Sequence, residues 1–179
     1  MPVFARTKIL ISDDCLKPPG GAASLVVKYS GPNPQNIYNK IRELAKTIWA
    51  LEEGAIQEKE VNWDRSGLSE KFSVKMEISK DLDVFTFLFI KLDIDGEAKP
   101  SREFGKEGAA TISIEPIIRT EYPQDTLWQR SIFYEFWRVL YHRVIYEDTR
   151  KKYLLECKED ALRFQEELKS FLNLLPKIK

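Results

Sequence analysis

A chain of 179 residues with 43% hydrophobic side chains has the material for one buried core, with room for a helical appendage. Its 28 basic and 28 acidic residues cancel, which excludes a strong overall field for nucleic acid or an anionic membrane. Charged residues reach 31%, beside two cysteines, two methionines and one histidine, a balance that leans towards a thermophilic, archaeal-like cytoplasmic protein. Cys15 and Cys157 lie far apart with no CxxC or Cys/His spacing. They are therefore expected as two small apolar side chains in a reducing compartment, with neither a zinc site nor a disulfide. No basic start leads into an apolar run with a cleavage site, and no stretch of about 18 uncharged apolar residues exists. Neither a leader nor a transmembrane segment is expected.

In chain order, "VFARTKILIS" (3–12) alternates weakly and reads as an opening strand, followed by a Pro/Gly loop over 13–23. "SLVVKYS" (24–30) is a short β-branched strand stopped by Gly31-Pro32. Asn33 and Pro34 supply an N-cap and a first-turn proline for a helix ending near Gly54. Its apolar positions, Ile37, Tyr38, Ile41, Leu44, Ala45 and Ile48, recur at helical spacing.

The middle of the chain reads as strands. Residues 55–63 carry the lysine and glutamate suited to a sheet edge. Over 70–79, Phe72, Val74, Met76 and Ile78 face one way, and Ser73, Lys75, Glu77 and Ser79 the other. "VFTFLFIKLDID" (84–95) places Leu88, Ile90, Leu92 and Ile94 on one face, while Phe87 and Phe89 start the opposite face. A loop opening at Asp95-Gly96 then leads to a last strand over 109–122, with a bulge or bend expected at Pro116. The last two strands are long, and long antiparallel strands coil into a sheet with a concave side.

Helix 127–148 follows. At 100° per residue, Ile132, Phe136, Trp137, Leu140, Tyr141 and Val144 cluster around Phe133, while His142 falls about 180° away beside Ser131, Glu135 and Arg138. The histidine is expected in water, and the apolar side on the sheet. On that reading Trp137→Ala costs about 3–5 kcal/mol. After a polar junction, Leu154, Cys157, Ala161, Phe164, Leu168, Phe171 and Leu175 form a heptad seam closed by Pro176. This helix either continues the previous one or folds back, and the seam is expected to pack on its own domain.

The expected architecture is α+β: a curved antiparallel sheet of five or six strands, one helix in the N-terminal half, and a long C-terminal helix packed on the sheet. Residues 1–148 would form the domain, and 149–179 a helical extension on the same domain or on a partner. This order and these lengths resemble the START-like helix-grip (SRPBCC) superfamily. The resemblance implies a sheet wrapped around the C-terminal helix, enclosing an apolar cavity for lipids, hormones or polyketides.

Two functional readings follow. One is a binding module holding a small hydrophobic ligand between the sheet and helix 127–148, lined by Phe87, Phe89, Trp137 and Tyr141, with Arg119 as a polar anchor. The other is an interaction or assembly protein, for example a homodimer, using its apolar C-terminal helices. An enzyme ranks third, because no catalytic residue can be nominated. Asp93, Asp95 and Glu97 lack the order of an EF-hand, "KPPGGAAS" lacks a phosphate-loop lysine, and no serine sits in an elbow motif. No metal site and no cofactor are expected.

Overall fold

The computed structural model describes residues 8–16, 24–52, 54–67, 69–124 and 126–174. The chain runs β1 (Lys8–Asp14), β2 (Leu25–Pro32), α1 (Asn36–Ile48), β3 (Ile56–Asp64), β4 (Glu70–Asp81), β5 (Thr86–Ser101), β6 (Gly105–Pro123), α2 (Ile132–Leu140) and α3 (Glu147–Leu174). A short 3₁₀ turn, Trp128–Arg130, precedes α2, and a π-helical turn, Tyr141–Ile145, joins it to α3. The class is α+β, as expected. All strands pair antiparallel in the order β1-β6-β5-β4-β3, with β2 also on β6. Residues 3–7 and 17–23, parts of the expected first strand and loop, and Leu175 and Pro176 of the expected seam lie outside the described residues.

β1 and β2 lie end to end along one edge of β6, opposite residues 117–123 and 107–114 respectively. Pro116 falls in the gap between them. Its carbonyl accepts from Cys15 N at 3.2 Å, so the missing N–H would have pointed to the same outer side, where no strand partner stands. The β5–β6 register runs through Ile90↔Pro116 unbroken, so of the bulge or bend expected there, the bulge is absent. The loop expected at Asp95-Gly96 is also absent, because β5 continues to Ser101, paired with Gly105. Gly96 is a strand residue over which the Phe72 ring lies, and a Cβ there would come within 2.2 Å of Phe72 Cζ. The reversal is a three-residue turn before Gly105, whose φ of 76° suits glycine. Asn33, the expected cap, instead takes a positive φ of 51°, and α1 starts at Asn36 without a side-chain cap.

One face of the sheet is apolar. Phe72, Val74, Met76 and Ile78 from β4, with Leu88, Ile90, Leu92 and Ile94 from β5, are all buried on it. Ile112, Ile114 and Ile118 of β6 continue that face. Two helices cover it. α1 contributes Ile37, Ile41 and Leu44, and α3 contributes Cys157, Ala161, Phe164, Leu168 and Leu172. Trp49, just past α1, stacks on Phe164 with centroids 4.8 Å apart. The heptad seam therefore packs on its own sheet. β3, the far edge, is largely exposed and charged, as its composition foretold.

Two expectations are corrected. The helix on the sheet is α3, not 127–148: Trp137 is 61% exposed and Ile132 80%. The cysteines are not free thiols either, since Cys15 and Cys157 form a buried disulfide that ties the end of β1 to α3 across 142 residues of chain. Nothing in the linear spacing signals that pair, because only the docking of α3 brings the two together. Closing so long a loop constrains the unfolded chain by roughly 4–5 kcal/mol in the chain-entropy view.

The exchange of roles between the two helices is measurable. Phe164→Ala is expected to destabilise the protein by about 3–5 kcal/mol. Trp137→Ala is expected to change stability by less than about 0.5 kcal/mol. Urea unfolding followed by far-ultraviolet circular dichroism separates the two values.

Candidate functional site

α2 is amphipathic, but it is mounted with its polar strip towards the body. Ser131 caps it, its Oγ accepting from Tyr134 N at 3.2 Å. From there Glu135, Arg138 and His142 follow at helical spacing and turn inward. Glu135 accepts from Gln124 Nε2 at 2.9 Å and from Arg138 Nη2 at 2.6 Å. The Arg138 guanidinium lies 5.5 Å from the centre of the Tyr122 ring. His142 is only 8% exposed, with Nδ1 3.0 Å from the Tyr122 hydroxyl. The histidine expected in water is inside.

The π-helical turn completes the attachment. It brings Tyr146 onto the β4–β5 turn, where its hydroxyl donates to Asp83 Oδ2 at 2.6 Å and also contacts Thr86 Oγ1. Asp83 accepts from the backbone N–H groups of Phe85 and Thr86, both at 2.8 Å. Thr86 in turn meets Thr120 Oγ1 at 3.1 Å on β6. Burial works against the Asp83 carboxylate, but the bonds from Tyr146, Phe85 and Thr86 outweigh it, and its pKa is lowered. Burial, with the hydrogen bond to Asp83 next, raises that of Tyr146.

The outward side is apolar. Ile132, Phe133, Phe136, Trp137, Val144 and Ile145 are exposed, and Leu127 and Trp128 extend the same surface through the preceding turn. Val84, at the tip of the turn that Asp83 anchors, is also in water. Large exposed apolar patches are characteristic of interaction sites in proteins generally. The charges around it are not balanced like those of the whole chain. Between 127 and 152, Arg130, Arg138, Arg143, Arg150, Lys151 and Lys152 stand against Glu135, Glu147 and Asp148, six to three.

Beside this surface, a cleft of about 620 Å³ opens between β1 and the α2–α3 elbow. Ile9 and Ile11 form its strand wall, and Arg138, His142, Arg143 and Arg150 reach it from the helices. Arg150 pairs with Asp13 at 3.2 Å, but its Nε is buried without a protein partner among the described residues. His142 has a lowered pKa, through burial first and then through Arg150, with Arg138 and Arg143 adding to it and Asp13 opposing it.

The five residues nominated from sequence do not converge. Phe87 and Arg119 face each other in register, and the Arg119 guanidinium sits 3.7 Å from the centre of the Phe89 ring. These three alternate with Leu88, Ile90 and Ile118, so they occupy the face of the sheet opposite the core. Trp137 lies on α2 and Tyr141 opens the π-helical turn after it, a segment attached through Tyr122 and Thr86 on the core-facing side. The sheet separates the two groups, and α1 and α3 fill the space where the expected cavity would lie. Sequence reasoning missed Tyr122, which meets the polar strip through His142 and Arg138, and Asp83 and Thr86, which hold Tyr146. The strip itself was legible in the spacing of Glu135, Arg138 and His142.

No family model and no curated protein matches the chain. Among solved structures, a delta-endotoxin aligns at 5% identity and a TM-score of 0.29, covering 57% of this chain and 63% of that one, under two thirds of its length. The structure of a protein of unknown function from Staphylococcus aureus, SA2116, aligns at 11% identity and a TM-score of 0.25 over 96% of this chain and 95% of that one. Likenesses this low assign neither family nor activity.

The inward histidine gives the attachment of α2 a pH dependence. With its folded pKa below the ordinary value of about 6.5, His142 stays neutral while the unfolded chain takes up a proton. Stability is therefore expected to fall as pH drops below about 6.5 towards the folded value. His142→Gln is expected to flatten this slope in chemical denaturation curves recorded between pH 7.5 and 5.

Proposed function

We propose that the protein is a peripheral membrane-binding module that lies on anionic bilayers through α2. The observation that carries this reading is the inverted mounting of the helix, with hydrogen-bonding side chains towards the protein and tryptophan, phenylalanine and isoleucine towards the outside. An interfacial helix needs a broad apolar face with aromatic side chains, flanked by basic residues. Phe133, Phe136 and Trp137 supply the first, and Arg130, Arg143, Lys151 and Lys152 the second. Among the described residues no helix is long and apolar enough to cross a bilayer, so α2 would lie in the interface plane.

Half-insertion of seven side chains (Trp128, Ile132, Phe133, Phe136, Trp137, Val144 and Ile145) at roughly 0.7–1.5 kcal/mol each gives a gross gain of about 5–10 kcal/mol. That corresponds to dissociation constants from about 0.2 mM down to about 50 nM before ordering costs. A homodimer through the heptad seam has little support, because Cys157, Ala161, Phe164 and Leu168 are already spent on the chain's own core. A small apolar ligand between the sheet and α2 has less, since its nominated residues lie on opposite sides of the sheet. The cytoplasmic assignment leaned on unpaired cysteines. A buried Cys15–Cys157 bond suits an oxidising compartment, or the interior of a hyperthermophile.

Vesicle co-sedimentation tests the proposal. The protein is expected to pellet with phosphatidylcholine vesicles containing phosphatidylglycerol, with a blue shift of tryptophan emission. It should bind pure phosphatidylcholine at least tenfold more weakly, and Phe136→Asp/Trp137→Asp should abolish binding while preserving the circular dichroism spectrum. Absence of binding to either vesicle, with self-association that the same double variant abolishes, would assign α2 to a second copy of the chain instead.

A further inference from the structure

The cleft beside α2 has a chemistry of its own. Arg138 is held by Glu135 and Arg150 by Asp13, each through bonds that leave other N–H groups of the guanidinium unused. Arg143 has no ion pair among the described residues and lines the same space. The acidic residue on the rim, Glu147, is engaged by Lys151 at 2.7 Å. His142 Nδ1 lies 3.0 Å from the Tyr122 hydroxyl, and in the tautomer whose Nδ1 accepts that bond, Nε2–H is a further donor. The cleft thus holds one unbalanced positive charge, an orphaned buried guanidinium N–H and a ring of unused donors, with few free acceptors.

We propose that this cleft binds a phosphoryl group, with Arg143 and Arg150 as its principal ligands and Arg138 and His142 as supporting donors. A phosphomonoester carries close to two negative charges and three strong acceptor oxygens, which forked guanidinium groups meet in bidentate fashion. A monoanionic carboxylate offers fewer acceptors to the same donors. The source of the phosphoryl group rests on the membrane reading. Val139 and Arg143 line the cleft on the same helical segment whose Val144 and Ile145 point outward, so a lipid headgroup would enter as α2 settles into the interface. A soluble phosphate ester would bring the same chemistry without a bilayer.

The test uses the full chain, inorganic phosphate, glycerol 3-phosphate, and two sets of vesicles matched in net negative charge, one rich in phosphatidic acid and one in phosphatidylglycerol. Millimolar phosphate and glycerol 3-phosphate are expected to shift the NMR signals of the His142 ring and raise its titration midpoint. Arg143→Ala should weaken this response at least fivefold, and Arg143→Lys should restore part of it. Wild type is expected to prefer the phosphatidic acid vesicles by fivefold or more. Arg143→Ala should lose that preference, binding both sets with the same, somewhat lower affinity that loss of one flanking cation leaves.

Phosphate binding without vesicle binding would support the cleft and locate its ligand in solution, while ending the membrane reading. Vesicle binding with no His142 response to phosphate and no effect of Arg143→Ala on lipid preference would overturn the cleft and leave the membrane reading standing.

Discussion

The sheet has one apolar face, and α1 and α3 fill it. That competition decides everything at the other end of the molecule. Two segments after β6 carry enough hydrophobic side chains to enter the core. α3 wins through the Phe164–Trp49 stack, the seam of Cys157, Ala161 and Leu168, and the disulfide to Cys15. Shape favours that outcome, because small side chains at 157 and 161 let the helix approach closely, whereas Trp137 and Phe136 would have to be packed as bulk. Once α3 is seated, α2 has no apolar surface left to lie on.

What α2 does have is the end of the sheet, where Tyr122, Thr86 and Asp83 offer hydroxyl and carboxylate groups. Arg138 and His142 of the polar strip meet Tyr122, and Tyr146, after the π-helical turn, takes Thr86 and Asp83. Buried polar groups that are satisfied in this way hold a unique orientation. They fix the helix without hiding its other side. The exposed aromatic face and the basic cleft are two consequences of one mounting: the same rotation that sends Phe133 and Trp137 outward brings Arg138 and His142 to the wall of the cleft.

Much of the fold was legible in the sequence. Period-2 alternation over 70–79 and 84–95 identified the core faces of β4 and β5, the charges of β3 marked it as an edge, and the 3-4 spacing from Leu154 identified the buried side of α3. What the sequence hid were outcomes of competition between segments. The helical wheel of 131–146 separates apolar from polar positions correctly, but a wheel has no inside. Assigning the apolar side to the core is sound only when one helix seeks it. The disulfide was hidden for a related reason, since its cysteines meet only after α3 docks. Phe87, Phe89 and Arg119 were grouped with Trp137 and Tyr141 on composition. Strand parity alone already placed Phe87 on the face opposite Ile90.

The orientation of α2 is the claim on which the function and the cleft both rest, and hydroxyl-radical footprinting of the dilute monomer tests it most directly. Trp128, Phe133, Phe136 and Trp137 should be oxidised readily, whereas Trp49, Phe164, His142 and Tyr146 should be protected. Protection of Trp137 and Phe136 together with rapid modification of His142 would mean that the helix is mounted the other way round, and the account would be wrong.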